Sequence, residues 1–303
     1  MIELKQILCP VDFSEFSRRA LDHALALARC YGSTVTALHV VAPMPVVVPA
    51  PYYFGAETPP AMVLPPVDRA LVATQLQRMA AAEQVPGVQL ATLVTEAPEV
   101  YREILVQAER MQSDVIVLGT HGRSGFERLF LGSTAEKVLR KARCPVMTVP
   151  PKAPDAMPPG PIPLTRILCA VDFSDSSKIA LDYAMSLARE SKAALTLAHV
   201  IETRPLYYDF SPPIAIDLTA WIEEARTRLR AMVPDAVRSS CSVTEVAREG
   251  TSYREILSLA TELDTDLIVL GVRGRGAVDL FFFGSTTHHV IREAGCAVLT
   301  LRG

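Results

Sequence analysis

Two tandem doubly wound α/β domains are the fold class that this sequence predicts. The chain of 303 residues is long enough for two domains of ordinary size, and it consists of two copies of one pattern. Within each copy, short runs of consecutive apolar residues alternate with amphipathic segments of helical spacing. Such runs are typical of parallel strands covered by helices on both faces, so each copy is predicted to hold a five-stranded parallel sheet.

The internal repeat defines the domains. The segment 7–14 (ILCPVDFS) returns at 167–174 as ILCAVDFS, and Tyr101–Leu105 returns unchanged at 253–257. The stretch 151–163 between the copies is too rich in proline to continue a helix or a central strand, and this composition is typical of a semi-rigid spacer. We therefore expect a first domain at 1–150, a linker at 151–163 and a second domain at 164–303.

The elements of the first copy follow in order from this pattern. The apolar run 7–11 predicts a strand, and Ser14 is expected to cap a helix that ends near Cys30, because a serine oxygen can accept a hydrogen bond from a free first-turn amide. Periodicity then predicts strands at 34–40, 88–94, 115–118 and 146–149, and helices at 67–84, 100–111 and 133–142. The proline-rich and aromatic segment 41–66 is either a lid or partner-docking surface, or a passive loop packed over the sheet edge.

A glycine-rich loop after the fourth strand carries the clearest chemical signal. Its spacing is Gly119, two residues, Gly122, nine residues, then Gly132 and Ser133. We expect Ser133 to be a helix N-cap, so that the free amides and the positive end of the helix dipole form a phosphate site, with Arg123 adding a charge-assisted contact. Ordinary turn glycines and an ordinary cap are the alternative. The second copy repeats the spacing with Gly271, Gly274, Arg275, Gly284 and Ser285.

The motifs taken together resemble the nucleotide-binding branch of the universal stress protein family. They are the opening Val-Asp-Phe-Ser, the His-Val that ends the second strand, the glycine loop and the closing 144–149 (CPVMTV). The resemblance covers essentially the whole chain twice, which indicates a tandem universal stress protein with a Rossmann-like, adenine-nucleotide α-hydrolase-like fold. Family members dimerise through their last strand, so the two halves are expected to form an intramolecular pseudo-dimer, which either stands alone or pairs again as a homodimer.

The resemblance also implies a ligand, ATP, accompanied in some members by Mg²⁺. It places adenine against the ends of the first and second strands, at Pro10, Val11, Asp12 and Val40, and at Ala170, Val171, Asp172 and Val200. It places ribose and phosphates along the loop, at Gly119, Gly122, Arg123, Gly132, Ser133 and Thr134, and at Gly271, Gly274, Arg275, Gly284, Ser285 and Thr286. The residues themselves leave a second interpretation of Asp12 open, an Asx-type turn before the helix.

The two copies differ in sequence, so the resemblance does not imply that both halves bind nucleotide with equal affinity. Pro10 is replaced by Ala170, Thr120-His121 by Val272-Arg273, and Glu136-Lys137 by His288-His289. Adjacent histidines on a helix diverge and no cysteine or carboxylate stands at ligand spacing, so we interpret 288–289 as a solvated or cap-stabilising pair and expect no metal site. His39 and His199 are interpreted as core histidines whose hydrogen bonds are satisfied within the protein. His121 is interpreted as a loop residue without a catalytic role, because no partnered nucleophile is recognisable.

Composition limits the classes of function. A net charge of −3 argues against a nucleic-acid binder, and apolar runs are too short to span a membrane. The start of the chain lacks signal-peptide features and its six cysteines lack Cys-x-x-Cys spacing, so a cytoplasmic protein with reduced thiols is expected.

A nucleotide-binding regulator or sensor of the stress response is the leading functional interpretation. With no Walker-type loop, catalytic triad or paired carboxylates, any ATP hydrolysis is expected to be slow and Mg²⁺-dependent. The alternatives are a genuine nucleotide-hydrolysing enzyme of this fold and a nucleotide-free interaction or carrier module.

Overall fold

The computed structural model describes residues 2–43, 68–83, 85–120, 131–151, 164–202, 218–272 and 284–302. Strands and helices alternate in the first half as the sequence predicts, with bounds that differ by a few residues. The elements are β1 (Gln6–Pro10), α1 (Glu15–Tyr31), β2 (Thr34–Val41), α2 (Arg69–Ala82), β3 (Gln89–Glu96), α3 (Val100–Arg110), β4 (Val115–Gly119), α4 (Ser133–Lys141) and β5 (Val146–Val149).

The second half repeats this order and adds a short helix, α7, before its third strand. Its elements are β6 (Arg166–Ala170), α5 (Asp175–Ser191), β7 (Ala194–Ile201), α6 (Thr219–Ala231), α7 (Asp235–Arg238), β8 (Val243–Glu249), α8 (Ser252–Glu262), β9 (Leu267–Val272), α9 (Ser285–Glu293) and β10 (Ala297–Arg302). The predicted α/β class is confirmed in both halves. Among the described residues no helix is long and apolar enough to cross a bilayer.

The ten strands of the described residues form one sheet, in the order β3-β2-β1-β4-β5-β10-β9-β6-β7-β8. Within each half the neighbouring strands are parallel, and the central pair β5 and β10 is antiparallel. Two threonines reinforce this seam, because the Thr148 hydroxyl donates to the Val298 carbonyl at 3.3 Å and the Thr300 hydroxyl donates to the Val146 carbonyl at 3.0 Å. The last strands of the two copies therefore join the halves, as in the pseudo-dimer that the resemblance implies.

The core lies in two layers, one on each face of the sheet. Helices α1, α2, α5 and α6 cover one face, and α3, α4, α8 and α9 cover the other. Successive strand residues point to opposite layers, so that Ile7 and Cys9 pack in the first layer and Leu8 in the second, all with at most 1% of their surface exposed. This double burial is why the strands are apolar at consecutive positions.

Candidate functional site

The sheet reverses its order at two points, between β1 and β4 and between β6 and β9. In doubly wound sheets, ligands bind in the crevice beyond the carboxyl ends of the strands at such a reversal. Pro10 ends β1, Gly119 ends β4, and Val40 lies one residue before the end of the neighbouring β2. The structure thus brings the predicted strand-end residues to one edge in each half. Four predicted loop residues lie outside the described part of the chain: Gly122, Arg123, Gly274 and Arg275.

The turn from β1 into α1 is built around Asp12. Its Oδ1 accepts hydrogen bonds from the Ser14 amide at 3.0 Å and from the Ser14 hydroxyl, while Phe13 adopts a φ of 65°. Ser14 then caps α1 by accepting from the Ser17 amide at 3.2 Å. The Asx-type turn that the sequence left open is therefore present, and it occupies one oxygen of the carboxylate. The second half forms the same turn, with Asp172, Phe173 at φ 63° and Ser174.

A histidine ties the end of β2 to the residue that follows β1. His39 Nδ1 lies 2.7 Å from the Val11 carbonyl oxygen, and its ring is 4.6 Å from the ring of Phe13. A carbonyl can only accept, so Nδ1 is the donor and the Val11 carbonyl is held in place. His199 makes the matching contact with Val171 at 2.7 Å. Both histidines are satisfied, as the sequence predicts.

The glycine at the end of β4 is explained by packing within the protein. A Cβ at Gly119 would lie 3.0 Å from the carbonyl oxygen of Phe16, and a Cβ at Gly271 would lie 2.4 Å from the carbonyl carbon and oxygen of Ser176. Neither glycine has a positive φ. The first turns of α1 and α5 therefore approach these strand ends too closely for a side chain, whether or not a ligand is bound.

The prediction that Ser133 is an N-cap is wrong by one residue. Gly132 is the N-cap of α4 and Ser133 is the first helical residue; Gly284 and Ser285 stand in the same positions on α9. A glycine cap has no side chain to accept from first-turn amides, in contrast to Ser14 on α1. In α4 the first intrahelical donor is the amide of Glu136, which bonds to Gly132 at 2.9 Å.

The first turns of α4 and α9 therefore keep backbone N–H groups for an outside acceptor. Among the described residues, the amides at 133–135 and 285–287 have no hydrogen-bond partner. Ser133 and Ser285 are exposed, and Thr134 and Thr286 are half-buried. Free amides combined with the helix dipole favour an anion, and phosphate fits such a site well.

The helix beside this site differs in charge between the halves. In the first half the Tyr101 ring of α3 lies under two ammonium groups of α4, at 5.0 Å from Lys137 Nζ and 4.8 Å from Lys141 Nζ. In the second half Tyr253 of α8 stacks on His289 of α9, with ring centroids 4.2 Å apart.

A carboxylate stands beside His289, one turn further along α9. His289 Nδ1 lies 3.0 Å from Glu293 Oε1, so the prediction that no carboxylate stands at ligand spacing from the histidine pair is wrong. The signal was available in the sequence, because residues four apart on a helix are neighbours. Among the described residues, no group of three or more histidine, cysteine, aspartate or glutamate side chains could hold a metal ion.

A second charge difference lies at the end of α2, beside Asp22 of α1. Burial, together with the neighbouring Glu83 carboxylate, raises the pKa of Asp22 to about 7, although Arg18 and Arg19 oppose this shift. Glu83 is the C-cap of α2, whereas the C-cap of α6 is Met232. The first half therefore has a carboxyl pair between two helices where the second half has a methionine.

Comparison with known proteins identifies the family. The model of the universal stress protein family matches residues 3–150 and again 163–302. A universal stress protein of Methanocaldococcus jannaschii is 35% identical over 145 residues, covering 48% of this chain and 81% of that protein. Universal stress protein A homolog 1 of Coxiella burnetii is 33% identical over 145 residues, covering 45% of this chain and 94% of that protein.

Solved structures show the same architecture over both halves. A universal stress protein from Archaeoglobus fulgidus aligns with a TM-score of 0.66 at 22% identity, over 99% of each chain. A putative universal stress protein from Pseudomonas aeruginosa aligns with a TM-score of 0.66 at 18% identity, over 99% of this chain and 93% of that one. The chain belongs to the universal stress protein family and carries its domain twice.

Proposed function

We propose that this protein binds ATP in one or both halves and acts as a regulator or sensor in a stress response. The observation that carries the proposal is the pair of glycine-capped helices, α4 and α9, whose first-turn amides have no hydrogen-bond partner among the described residues. The family membership supports it, because the motifs at the strand ends and in the glycine loop resemble those of the nucleotide-binding branch of that family.

In this proposal the site has two ends. The base lies against the strand ends, where the Val11 carbonyl is fixed by His39 and the Asp12 carboxylate is oriented by its turn. The phosphates lie at the helix start, against the amides of Ser133 and Thr134. The same assignment applies to Val171, Asp172, Ser285 and Thr286, with Pro10, Ala170, Val40, Val200 and the glycines at 119, 132, 271 and 284 shaping the crevice.

Mg²⁺ is compatible with this arrangement without a protein cage. Mg²⁺ is commonly held by substrate phosphates and water with only one or two carboxylates. Among the described residues, no cluster of three or more potential ligands forms near the helix starts. In this proposal the ion is carried by the nucleotide itself, and the chain contributes the amides that bind the phosphates.

A proline substitution tests the amides directly. Gly132 has φ −58° and ψ 139°, a conformation that a following proline accepts, and proline is well tolerated at the first helical position. Ser133→Pro thus removes one N–H while keeping the helix, and Ser133→Ala removes the hydroxyl while keeping the N–H. Ser285→Pro and Ser285→Ala are the equivalent pair in the second half.

The readout is the dissociation constant for ATP with Mg²⁺, measured by isothermal titration calorimetry. A hydrogen bond to a charged acceptor contributes about 1.5–3 kcal/mol, so the proline variant of a binding half should bind at least about 10-fold more weakly. The alanine variant should stay near the parent protein. Equal affinities for the proline and alanine variants in both halves would contradict a phosphate at these amides and would favour the nucleotide-free alternatives.

A further inference from the structure

A cluster of positive charge lies on helices α3 and α4 of the first half. Its centre is the ring of Tyr101, which is only 7% exposed and packs in the core layer of these helices. The Nζ atoms of Lys137 and Lys141 lie 5.0 and 4.8 Å from the centre of this ring. The Tyr101 hydroxyl accepts hydrogen bonds from Arg102 Nε at 3.0 Å and from Lys141 Nζ at 3.4 Å. Three cationic side chains therefore converge on one aromatic ring.

The ring holds the three cations together at the protein surface. The side chains of Arg102, Lys137 and Lys141 are exposed, so their charged groups are accessible to a ligand in water. Cations are attracted to the face of an aromatic ring, which keeps the ammonium groups near Tyr101. The hydrogen bond from Arg102, followed by that from Lys141, lowers the pKa of the Tyr101 hydroxyl below its ordinary value, although burial opposes this shift.

The two lysines have no counter-charge within the described part of the chain. Neither Lys137 nor Lys141 forms an ion pair with a carboxylate there. The glutamates of α3, its N-cap and α4 each have another partner: Glu99 has Arg102 at 2.5 Å, Glu103 has Gln107 at 2.6 Å, Glu109 has Arg143 at 3.4 Å, and Glu136 has Arg140 at 3.3 Å. Like charges four residues apart on a helix repel each other. An anion bound between the lysines would remove this repulsion.

The second half keeps the aromatic ring and loses the cluster of charge. Four residues of α8 and α9 correspond to the cluster: Tyr253 to Tyr101, Arg254 to Arg102, His289 to Lys137 and Glu293 to Lys141. His289 stacks on the Tyr253 ring at 4.2 Å, and Glu293 lies 3.0 Å from His289 Nδ1. The Glu293 carboxylate would repel an anion at this position. The second half is therefore a natural control for the first.

We propose that Arg102, Lys137 and Lys141 bind a phosphate monoester on the surface of the first half. The charge of such a group is about −1.5 to −2 at pH 7, which matches two lysines without counter-charge. Its oxygens accept charge-assisted hydrogen bonds from ammonium and guanidinium groups, and these are stronger than neutral ones. A carboxylate has a single negative charge and would leave one lysine uncompensated. The phosphate belongs either to a small phosphorylated molecule or to a phosphorylated side chain of a protein.

The experiment titrates the nucleotide-free, ¹⁵N-labelled full chain with inorganic phosphate and follows its NMR signals. Ionic strength is kept constant, because salt screens exposed charges. The signals of α3 and α4 around Tyr101 should move as phosphate binds. An exposed charge pair contributes up to about 5-fold in affinity, so the double variant Lys137→Met and Lys141→Met should bind phosphate about 5- to 25-fold more weakly. The control, Lys178→Met and Arg226→Met, removes the same charge from the second half and should retain the parent affinity.

A reverse exchange tests whether the lysines create the site. His289→Lys combined with Glu293→Lys places the residues of the first half around Tyr253 and should add a second phosphate site there. Failure to gain that site would overturn the assignment of the affinity to the lysines. A phosphoserine peptide, used in place of phosphate, distinguishes the two sources. Tighter binding of the peptide would support a phosphorylated protein, and equal binding would support a small phosphorylated molecule.

Two results of the phosphate titration would overturn the proposal. One is an unchanged affinity in the variant that lacks both lysines. The other is a response confined to the amides at 133–135, which would place the phosphate at the start of α4 and would support the proposed function instead. Conversely, phosphate binding at the lysines without any binding of ATP would overturn the proposed function and leave the phosphate site intact.

Discussion

Replacing Gly271 with alanine places a methyl group where the backbone of α5 already lies. The new Cβ would be 2.4 Å from the carbonyl carbon and oxygen of Ser176 and 2.6 Å from the amide nitrogen of Ser177. Because these atoms belong to a helix backbone, no side-chain rotation relieves the contact. Overpacking costs about 1–3 kcal/mol, and the reduced entropy of the unfolded chain returns about 0.4–1 kcal/mol. Because a 2.4 Å contact is severe, the cost lies at the upper end of its range, and we expect a net loss of about 2 kcal/mol from the free energy of unfolding.

Two other glycines calibrate this prediction within the same chain. At Gly119 the Cβ would meet Phe16 at 3.0–3.2 Å, a contact that a small shift relieves, so Gly119→Ala should lose about 1 kcal/mol. At Gly295 nothing lies within 4 Å of the Cβ, so Gly295→Ala should match or slightly exceed the parent. None of the three has a positive φ.

The assay is urea denaturation of nucleotide-free protein, followed by circular dichroism. The midpoints should increase in the order Gly271→Ala, Gly119→Ala, parent, Gly295→Ala. A Gly271→Ala midpoint equal to that of the parent would refute the packing argument. It would then favour the view that this glycine is present for a ligand.

Three further predictions concern single side chains. Burial and Glu83 raise the pKa of Asp22 from 3.8 to about 7, so the stability that its protonated form adds is complete below about pH 4 and is lost as the pH rises through 7. The urea midpoints at pH 5 and pH 8 should therefore differ less in Asp22→Asn than in the parent. An equal difference in both proteins would contradict the raised pKa. His39→Ala removes the donor that holds the Val11 carbonyl and should lower the free energy of unfolding by about 1–2 kcal/mol in the same assay, whereas no loss would mean that the contact is not formed. Thr300→Val removes a hydroxyl from the seam between the halves at nearly constant volume and should cost about 1 kcal/mol; an unchanged midpoint would show that this hydrogen bond adds nothing.

Much of the fold follows from the sequence because its signals are local or repeated. Apolar runs on consecutive residues mark strands buried on both faces, and Ser14 caps α1 as predicted. The antiparallel pairing of β5 with β10 could be expected only from the family resemblance, since strand pairing over such a separation leaves no local pattern. The short helix α7 was not predicted either, because a single turn lacks measurable periodicity.

For the candidate site, the sequence predicts which edge of the sheet the strand-end residues share, but not the details of the helix start. The strand-end residues do meet at the point where the sheet order reverses, since the order of strands and helices dictates that edge. The N-cap of α4 is Gly132 and not the predicted Ser133, because the sequence pattern does not define a helix start to within one residue. The role of Gly271 depends on how closely α5 approaches β9, which only three-dimensional packing reveals.

The most direct test of the proposed function is the amount of adenine nucleotide bound per chain. Native mass spectrometry of freshly purified protein, followed by titration with ATP and Mg²⁺, counts the nucleotides and measures their affinity. The proposed function predicts one or two ATP per chain, with Ser133→Pro or Ser285→Pro weakening the half that each substitution alters. A chain that carries no nucleotide and takes up none during the titration would contradict it.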